Sequence, residues 1–371
     1  MKERNALLRL RDLGQSVWYD YIRRDLYTGG ELRRLIREDG LAGMTSNPTI
    51  FQKAIADTDL SDEAVRRSSG EAADSSAVFE SLAVEDVRAA ADVFRSVFDE
   101  TGGNDGFVSI EVGPRLANDT EGSVEEARRR WEKGARENLM VKIPGTAAGN
   151  PAIRRCLAEG ININITLLFS VSRYRDVMEA YLSALDERVA AGLPVDRLRS
   201  VASFFVSRVD TNVDKKLDRM GTDAARALRG QAAIANARLA YEAFREVVGS
   251  ERFRKLAERG AAIQRPLWAS TSTKDPSYPD LYYVEALVAP DSVDTMPPET
   301  FEAYRDHGDP KVRIAEDLEG ARETLRRLAE LGIDEATVSR ELEEEGVKKF
   351  ADSFDSLLKA LAEKEKAMRV A

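Results

Sequence analysis

With one cysteine and one histidine in 371 residues, the chain can carry little of the commonest metal and nucleophile chemistry. Cys156 alone excludes an internal disulfide framework and fits a reducing compartment. The lone histidine, His307, sits in the polar stretch Arg305-Asp306-His307-Gly308-Asp309 with no nucleophile beside it, which argues against a Ser-His-Asp or Cys-His system. Zinc is excluded on the same count, and no metal is expected. A carboxylate-bound magnesium at Asp210 and Asp214 stays open, although two surface acids are the simpler reading. No apolar run approaches the roughly 18 residues of a membrane span, and the N-terminus lacks the apolar core of a signal peptide. No membrane association and a cytoplasmic location are therefore expected. The formal charge of -10 argues against nucleic acid as a partner, so an anionic substrate would need Arg and Lys side chains placed locally. There is no internal repeat and no Gly-rich dinucleotide fingerprint after the first strand. The chemistry is left to Lys, Asp, Glu and hydroxyls.

What is present is a patterned globular chain, 43% hydrophobic and 32% charged. Strand-like runs occur at Ser16–Tyr21, Ala42–Ser46, Phe107–Val112, Leu139–Ile143, Asn162–Phe169, Val201–Ser207, Leu267–Ser270 and Ser292–Met296. Helical stretches separate them. Ser123-Val124-Glu125-Glu126 reads as a capping box for a helix ended by Gly134, and Ser172 opens one closed by Gly192 and Pro194. Eight strands alternating with helices predict a parallel sheet covered by helices. Closed on itself, it is an α/β (β/α)₈ TIM barrel with additional helices and a helical C-terminal extension; an open doubly wound sheet is the alternative. The expected organisation is a single barrel domain over residues 1–371, with helical insertions at about 57–78 and 214–260 and C-terminal helices at about 334–371. Phe350, Phe354, Leu357, Leu358 and Leu361 form an apolar stripe in that last stretch.

Lys142 stands out, one ammonium in the middle of the apolar strand Leu139-Met140-Val141-Lys142-Ile143. Burying an unpaired charge is costly, and an amine held neutral is a nucleophile for carbonyl carbon. A snorkelling lysine or a structural ion pair is the competing reading. Residues two apart share a strand face, and several neighbouring strands present polar groups this way. Thr45 shares a face with Asn47, Ser109 with Glu111, Asn162 with Asn164 and Thr166, and Ser203 with Phe205 and Ser207; Asp20 closes its own strand. Such groups should converge in one hydrogen-bonded cluster, since each costs about 1–3 kcal/mol if buried unpaired. Lys142 can then form an imine with a ketone, Glu111 and Thr166 can manage the proton traffic through a water, and Asp20 is the free base for a β-hydroxyl. Asn47, Asn164 and Ser203 suit substrate hydroxyls, and Arg208 suits a phosphate. Lys274 and Arg265, at opposite ends of the seventh strand, are weaker candidates, with Lys274 the better placed.

These motifs carry a family resemblance. Gly43-Met44-Thr45-Ser46-Asn47-Pro48, Ser109-Ile110-Glu111-Val112, Met140-Val141-Lys142-Ile143-Pro144-Gly145-Thr146, Asn162-Ile163-Asn164-Ile165-Thr166-Leu167-Leu168-Phe169 and Ala202-Ser203-Phe204-Phe205-Val206-Ser207-Arg208 follow one another in order. Over about residues 5–365 the chain resembles the transaldolase family, in its long bacterial branch. The resemblance implies a (β/α)₈ barrel with Lys142 as the Schiff-base lysine on the fourth strand and no cofactor. It implies transfer of a dihydroxyacetone unit from sedoheptulose 7-phosphate to glyceraldehyde 3-phosphate, giving erythrose 4-phosphate and fructose 6-phosphate, within the pentose phosphate pathway. Asp20 would act as acid and base, Glu111 and Thr166 would hold a catalytic water, and Arg208 would bind phosphate. Thr45, Asn47, Asn164, Ser203 and Phe205 would line the substrate. Two stretches depart from the family pattern. Gly113-Pro114-Arg115 follows the third strand, and Ser270-Thr271-Ser272-Thr273-Lys274 replaces a phosphate-binding arginine, passing that contact to Lys274. The partners expected are sugar phosphates; whether the chain forms a homo-oligomer is left open. A fructose-6-phosphate aldolase, whose branch tends to carry Tyr where Phe205 stands, and a non-catalytic sugar-phosphate binder are the competing functions.

Overall fold

A computed structural model of the chain describes residues 5–56, 58–68 and 74–370. Eight parallel strands hydrogen-bond edge to edge until the last meets the first: β1 (Gln15–Asp20), β2 (Gly43–Thr45), β3 (Phe107–Glu111), β4 (Leu139–Pro144), β5 (Ile163–Leu168), β6 (Ser200–Phe205), β7 (Arg265–Ala269) and β8 (Ser292–Met296). Closure of β1 on β8, with Gln15 opposite Ser292 and Tyr19 opposite Met296, rules out the open doubly wound sheet. Each expected strand is present to within two residues at either end, and helices connect successive strands.

The strand sequences explain the packing. One face of each strand looks into the barrel, where Trp18 and Phe107 rings lie 6.3 Å apart. A Cβ on Gly43 would meet the Trp18 indole at 2.5 Å, so only glycine on β2 leaves room for that ring. The other face carries residues such as Ile163, Ile165, Phe204 and Trp268, fully buried beneath the helices. β5 breaks its alternation near the mouth: Leu167 has φ 61° and the pairing with β6 shifts between Ile165 and Leu168. A non-glycine residue held there costs about 1–3 kcal/mol, and such bulges re-aim side chains at barrel rims.

Three expectations about helices need correction. The helix ended by Gly134 starts at Thr120, and Asp119 caps it by accepting from the Gly122 N–H; Ser123 lies inside and donates to the Leu116 carbonyl. Ser170, not Ser172, caps the helix Val171–Ala190. The C-terminal stretch is one 36-residue helix, Glu335–Val370, rather than several. In the expected 57–78 insertion, Asp62–Ser68 and the start of Ser75–Val93 are helical, while residues 57 and 69–73 lie outside the described residues. Between β6 and β7 the chain forms helices Ser207–Met220, Asp223–Arg226, Ala232–Val248 and Glu251–Ala257.

The terminal helix is a strap across the C-terminal mouth of the barrel. At about 1.5 Å per residue it is about 50 Å long, enough to cross a barrel end. Its start is held by Glu335, which accepts from the Val171 N–H at 2.7 Å, and by Glu341, which accepts from Lys216 at 2.6 Å. Further along, Ser353 bonds Thr49 at 2.8 Å and Lys364 pairs with Asp62. Phe350, Phe354, Leu357 and Leu361 are buried on its inner face.

Candidate active site

The mouth gathers the polar residues that the strand faces present. Lys142 is only 4% exposed, and its Nζ donates to the Ser46 carbonyl at 3.2 Å. Glu111, its register partner on β3, places Oε2 3.3 Å from Nζ, an ion pair not aligned as a hydrogen bond. Both Glu111 carboxylate oxygens and the Thr166 hydroxyl are buried without a hydrogen-bond partner. On the far side of the barrel, Asp20 accepts from the Thr45 hydroxyl at 2.7 Å, and Thr45 in turn meets Thr295 of β8 at 2.8 Å.

Burial sets the protonation of the two acids. It pushes the Asp20 carboxyl above the usual range, against the lowering by Lys142, the Thr45 hydroxyl and Arg208. Glu111 is raised for the same reason, with Lys142 opposing and Asp20 adding to the rise. Each acid can therefore hold a proton in a range where an exposed carboxylate has lost it. An amine beside two such groups is equipped for carbonyl addition and proton transfer.

The remaining expected residues divide by what they already bond. Ser203 donates to Asn164 Oδ1 at 2.7 Å, and Asn164 Nδ2 donates to Ser109 at 3.0 Å, a closed chain beside Lys142, whose β5 register partner is Asn164. Asn47 caps the helix Pro48–Ala56 by accepting from the Ile50 N–H at 3.0 Å. The Phe205 ring lies tilted against Phe169, with centroids 5.2 Å apart, and the Arg208 guanidinium lies 5.0 Å above its ring. Lys274 is exposed in the loop after β7 and donates to the Ser272 hydroxyl.

Other candidates lie elsewhere. Arg265 is at the N-terminal end of the barrel, where it bonds Ser16 at 2.8 Å and Asp105 at 2.8 Å. Asp210 and Asp214 are not surface acids. Both are buried: Asp210 accepts from the Ala233 N–H and Tyr283, and Asp214 from the Gly230 N–H and Tyr278. No cluster of three or more metal-ligating side chains occurs among the described residues. His307 is exposed against Asp280 and Asp306, and the buried Cys156 thiol is pushed up to about 12. Among the described residues no helix is long and apolar enough to cross a membrane.

Two features of the mouth escape a strand-by-strand reading. Thr295 joins the Asp20–Thr45 cluster; the only signal for it was its place on an inward face of β8. Phe350 of the terminal helix lies with its ring 5.9 Å from Lys142 Nζ and 5.8 Å from Arg208 Cζ. In the sequence it is one member of an apolar stripe, indistinguishable from core.

Comparison with known proteins gives the family. Residues 17–361 match the family model described as Transaldolase/Fructose-6-phosphate aldolase. A protein of Frankia alni named Transaldolase is 48% identical over 360 residues, covering 97% of each chain. One of Mycolicibacterium smegmatis with the same name is 47% identical over 361 residues, again covering 97% of each. A Transaldolase 2 of Nostoc punctiforme is 44% identical over 375 residues, covering 98% of each. The chain belongs to the transaldolase/fructose-6-phosphate aldolase family of enzymes.

Proposed function

We propose that the chain is a transaldolase, moving a dihydroxyacetone unit from sedoheptulose 7-phosphate to glyceraldehyde 3-phosphate through an imine on Lys142. The observation that carries this reading is the buried amine of Lys142, 3.3 Å from Glu111 in a barrel mouth that Asp20 also lines. The names of the relatives support the activity, and the strand-by-strand match of motifs supports the residue roles.

The chemistry runs as follows. Lys142 Nζ attacks the ketose C2, forming a carbinolamine, with Glu111 beside it to take and return the proton. Glu111, with the unpaired Thr166 hydroxyl, protonates the C2 hydroxyl, which leaves as water and gives the iminium. Asp20 as carboxylate takes the proton of the C4 hydroxyl. The C3–C4 bond then breaks, its electron pair entering the iminium to give an enamine, and erythrose 4-phosphate departs. Addition of glyceraldehyde 3-phosphate reverses these steps with Asp20 now the acid, and hydrolysis of the imine releases fructose 6-phosphate. Arg208, in the first turn after β6, serves as a phosphate anchor.

The aldolase reading differs in the fate of the enamine, which it would protonate and release. Phe205 has no proton to give at that position, which favours transfer. The test is turnover of fructose 6-phosphate with and without erythrose 4-phosphate. Turnover should require the acceptor; a rate indifferent to it would make the chain an aldolase.

A further inference from the structure

The terminal helix brings to the mouth a charged residue that neither the strand faces nor the family motifs assign. Gly346, Lys349 and Phe350 are spaced i, i+3 and i+4, so they share one helix face. Contacts on either side of Lys349 fix where that face points. A Cβ on Gly346 would meet Arg208 Nη1 at 3.6 Å and Leu167 Cδ2 at 2.9 Å. The Phe350 ring lies near both Lys142 Nζ and Arg208 Cζ, at 5.9 and 5.8 Å from its centroid.

Lys349 is therefore one helical turn from the residue against the Arg208 guanidinium, and itself exposed. Partial desolvation and the charges of Arg208, Lys274 and Lys53 hold its ammonium below the usual lysine value, with Glu345 opposing them. These four cations come from four separate segments: the helix Pro48–Ala56, the helix start after β6, the loop after β7 and the terminal helix. In a chain of formal charge -10, gathering four like charges at one opening costs stability. A bound dianion offsets that cost.

We infer that Lys349 is a phosphate-binding residue that acts with Arg208 on the terminal phosphate monoester of the sugar, with Lys274 and Lys53 at the rim. The reading deepens the proposed function and rests on it for the identity of the sugar, though not for the anion. A ketose phosphate carries its carbonyl and its phosphate at different positions on one carbon chain, and the Phe350 ring lies 5.9 Å from the amine of Lys142 and 5.8 Å from the guanidinium of Arg208. The terminal helix then helps to set substrate class.

The test is titration of the full chain with inorganic phosphate. Lys349→Ala should weaken binding by about ten-fold, and Lys349→Arg should restore it to within about three-fold. Lys348→Ala, which loses an exposed pair with Asp352, is the control and should bind phosphate as the unmodified chain does. In steady state Lys349→Ala should raise the KM for fructose 6-phosphate by about ten-fold and change kcat by less than about two-fold. Unchanged phosphate affinity in Lys349→Ala would overturn the inference whether or not Lys142 forms an imine. Weakened phosphate binding in a chain that forms no adduct would uphold it while removing the sugar chemistry.

Discussion

At the N-terminal end of the barrel, Asp105 accepts from Ser16 at 2.6 Å, from Trp18 at 3.1 Å and from Arg265 at 2.8 Å. At the mouth, Glu111 accepts no hydrogen bond, although a lysine amine lies 3.3 Å away. Both ends place an acid and a cation on barrel strands or beside them. The lower set spends its donors and acceptors on one another and so fixes how β1, β3 and β7 meet. The upper set leaves a carboxylate and a hydroxyl unspent around an amine, which costs stability and leaves groups for a third party. An unmet acid alone is not enough to make a site. Asp294 of β8 is fully buried with Oδ2 unpaired, but alternation against Thr295 turns it outward beneath the helices, away from any amine.

The contrast predicts opposite consequences of mutation. Lys142→Ala should abolish turnover, by about 10⁴-fold or more, while circular dichroism shows a folded barrel, since Glu111, already raised by burial, can take up a proton when its cation is removed. A collapse of the fold would make Lys142 structural. Asp20→Asn should lower kcat by about 10²–10⁴-fold. The acidic limb of the pH–rate profile reports the same group: because burial raises the Asp20 pKa, activity should rise with pH through a midpoint above the ordinary value of about 3.9. A profile flat down to pH 4 would remove Asp20 as the base.

Arg265→Ala should do the reverse of Lys142→Ala. It leaves Asp105 without its cation at a partly buried site and should cost about 2–3 kcal/mol in denaturant unfolding, with KM unaltered. A loss of activity without loss of stability would erase the distinction between the ends. The smallest effect belongs to Asp294→Asn. Burial raises this carboxyl to about 7, so it supports the fold below the unfolded value of about 4, and that support is lost as pH rises toward about 7. The variant should gain about 2–4 °C in Tm at pH 8 and nothing at pH 4; an equal gain at both would mean that ionisation is not the cause.

Much of this was legible in the sequence because a barrel interior is periodic. Asn164 and Thr166 on one strand, or Ser109 and Glu111 on another, declare their face by spacing alone, and Lys142 is conspicuous among apolar neighbours. Positions that depend on distant segments were not legible. Phe350 reaches Lys142 across more than 200 residues of chain, and a phenylalanine over a lysine has the same spacing as one in a core. The helix caps failed for a local reason: Ser123 and Ser172 have the right chemistry, but each helix already starts earlier, where Asp119 and Ser170 accept from the Gly122 and Arg173 N–H groups. Asn47 looked like a substrate ligand and is in part a cap, since short polar side chains serve both ends equally well.

The central claim is that Lys142 bonds covalently to a ketose. Borohydride reduction of the full chain with fructose 6-phosphate, followed by peptide mass mapping, tests it most directly. The account predicts a stable secondary amine on Lys142, absent without the sugar and absent in Lys142→Ala. An unmodified Lys142 peptide, or an adduct carried by another lysine, would contradict it.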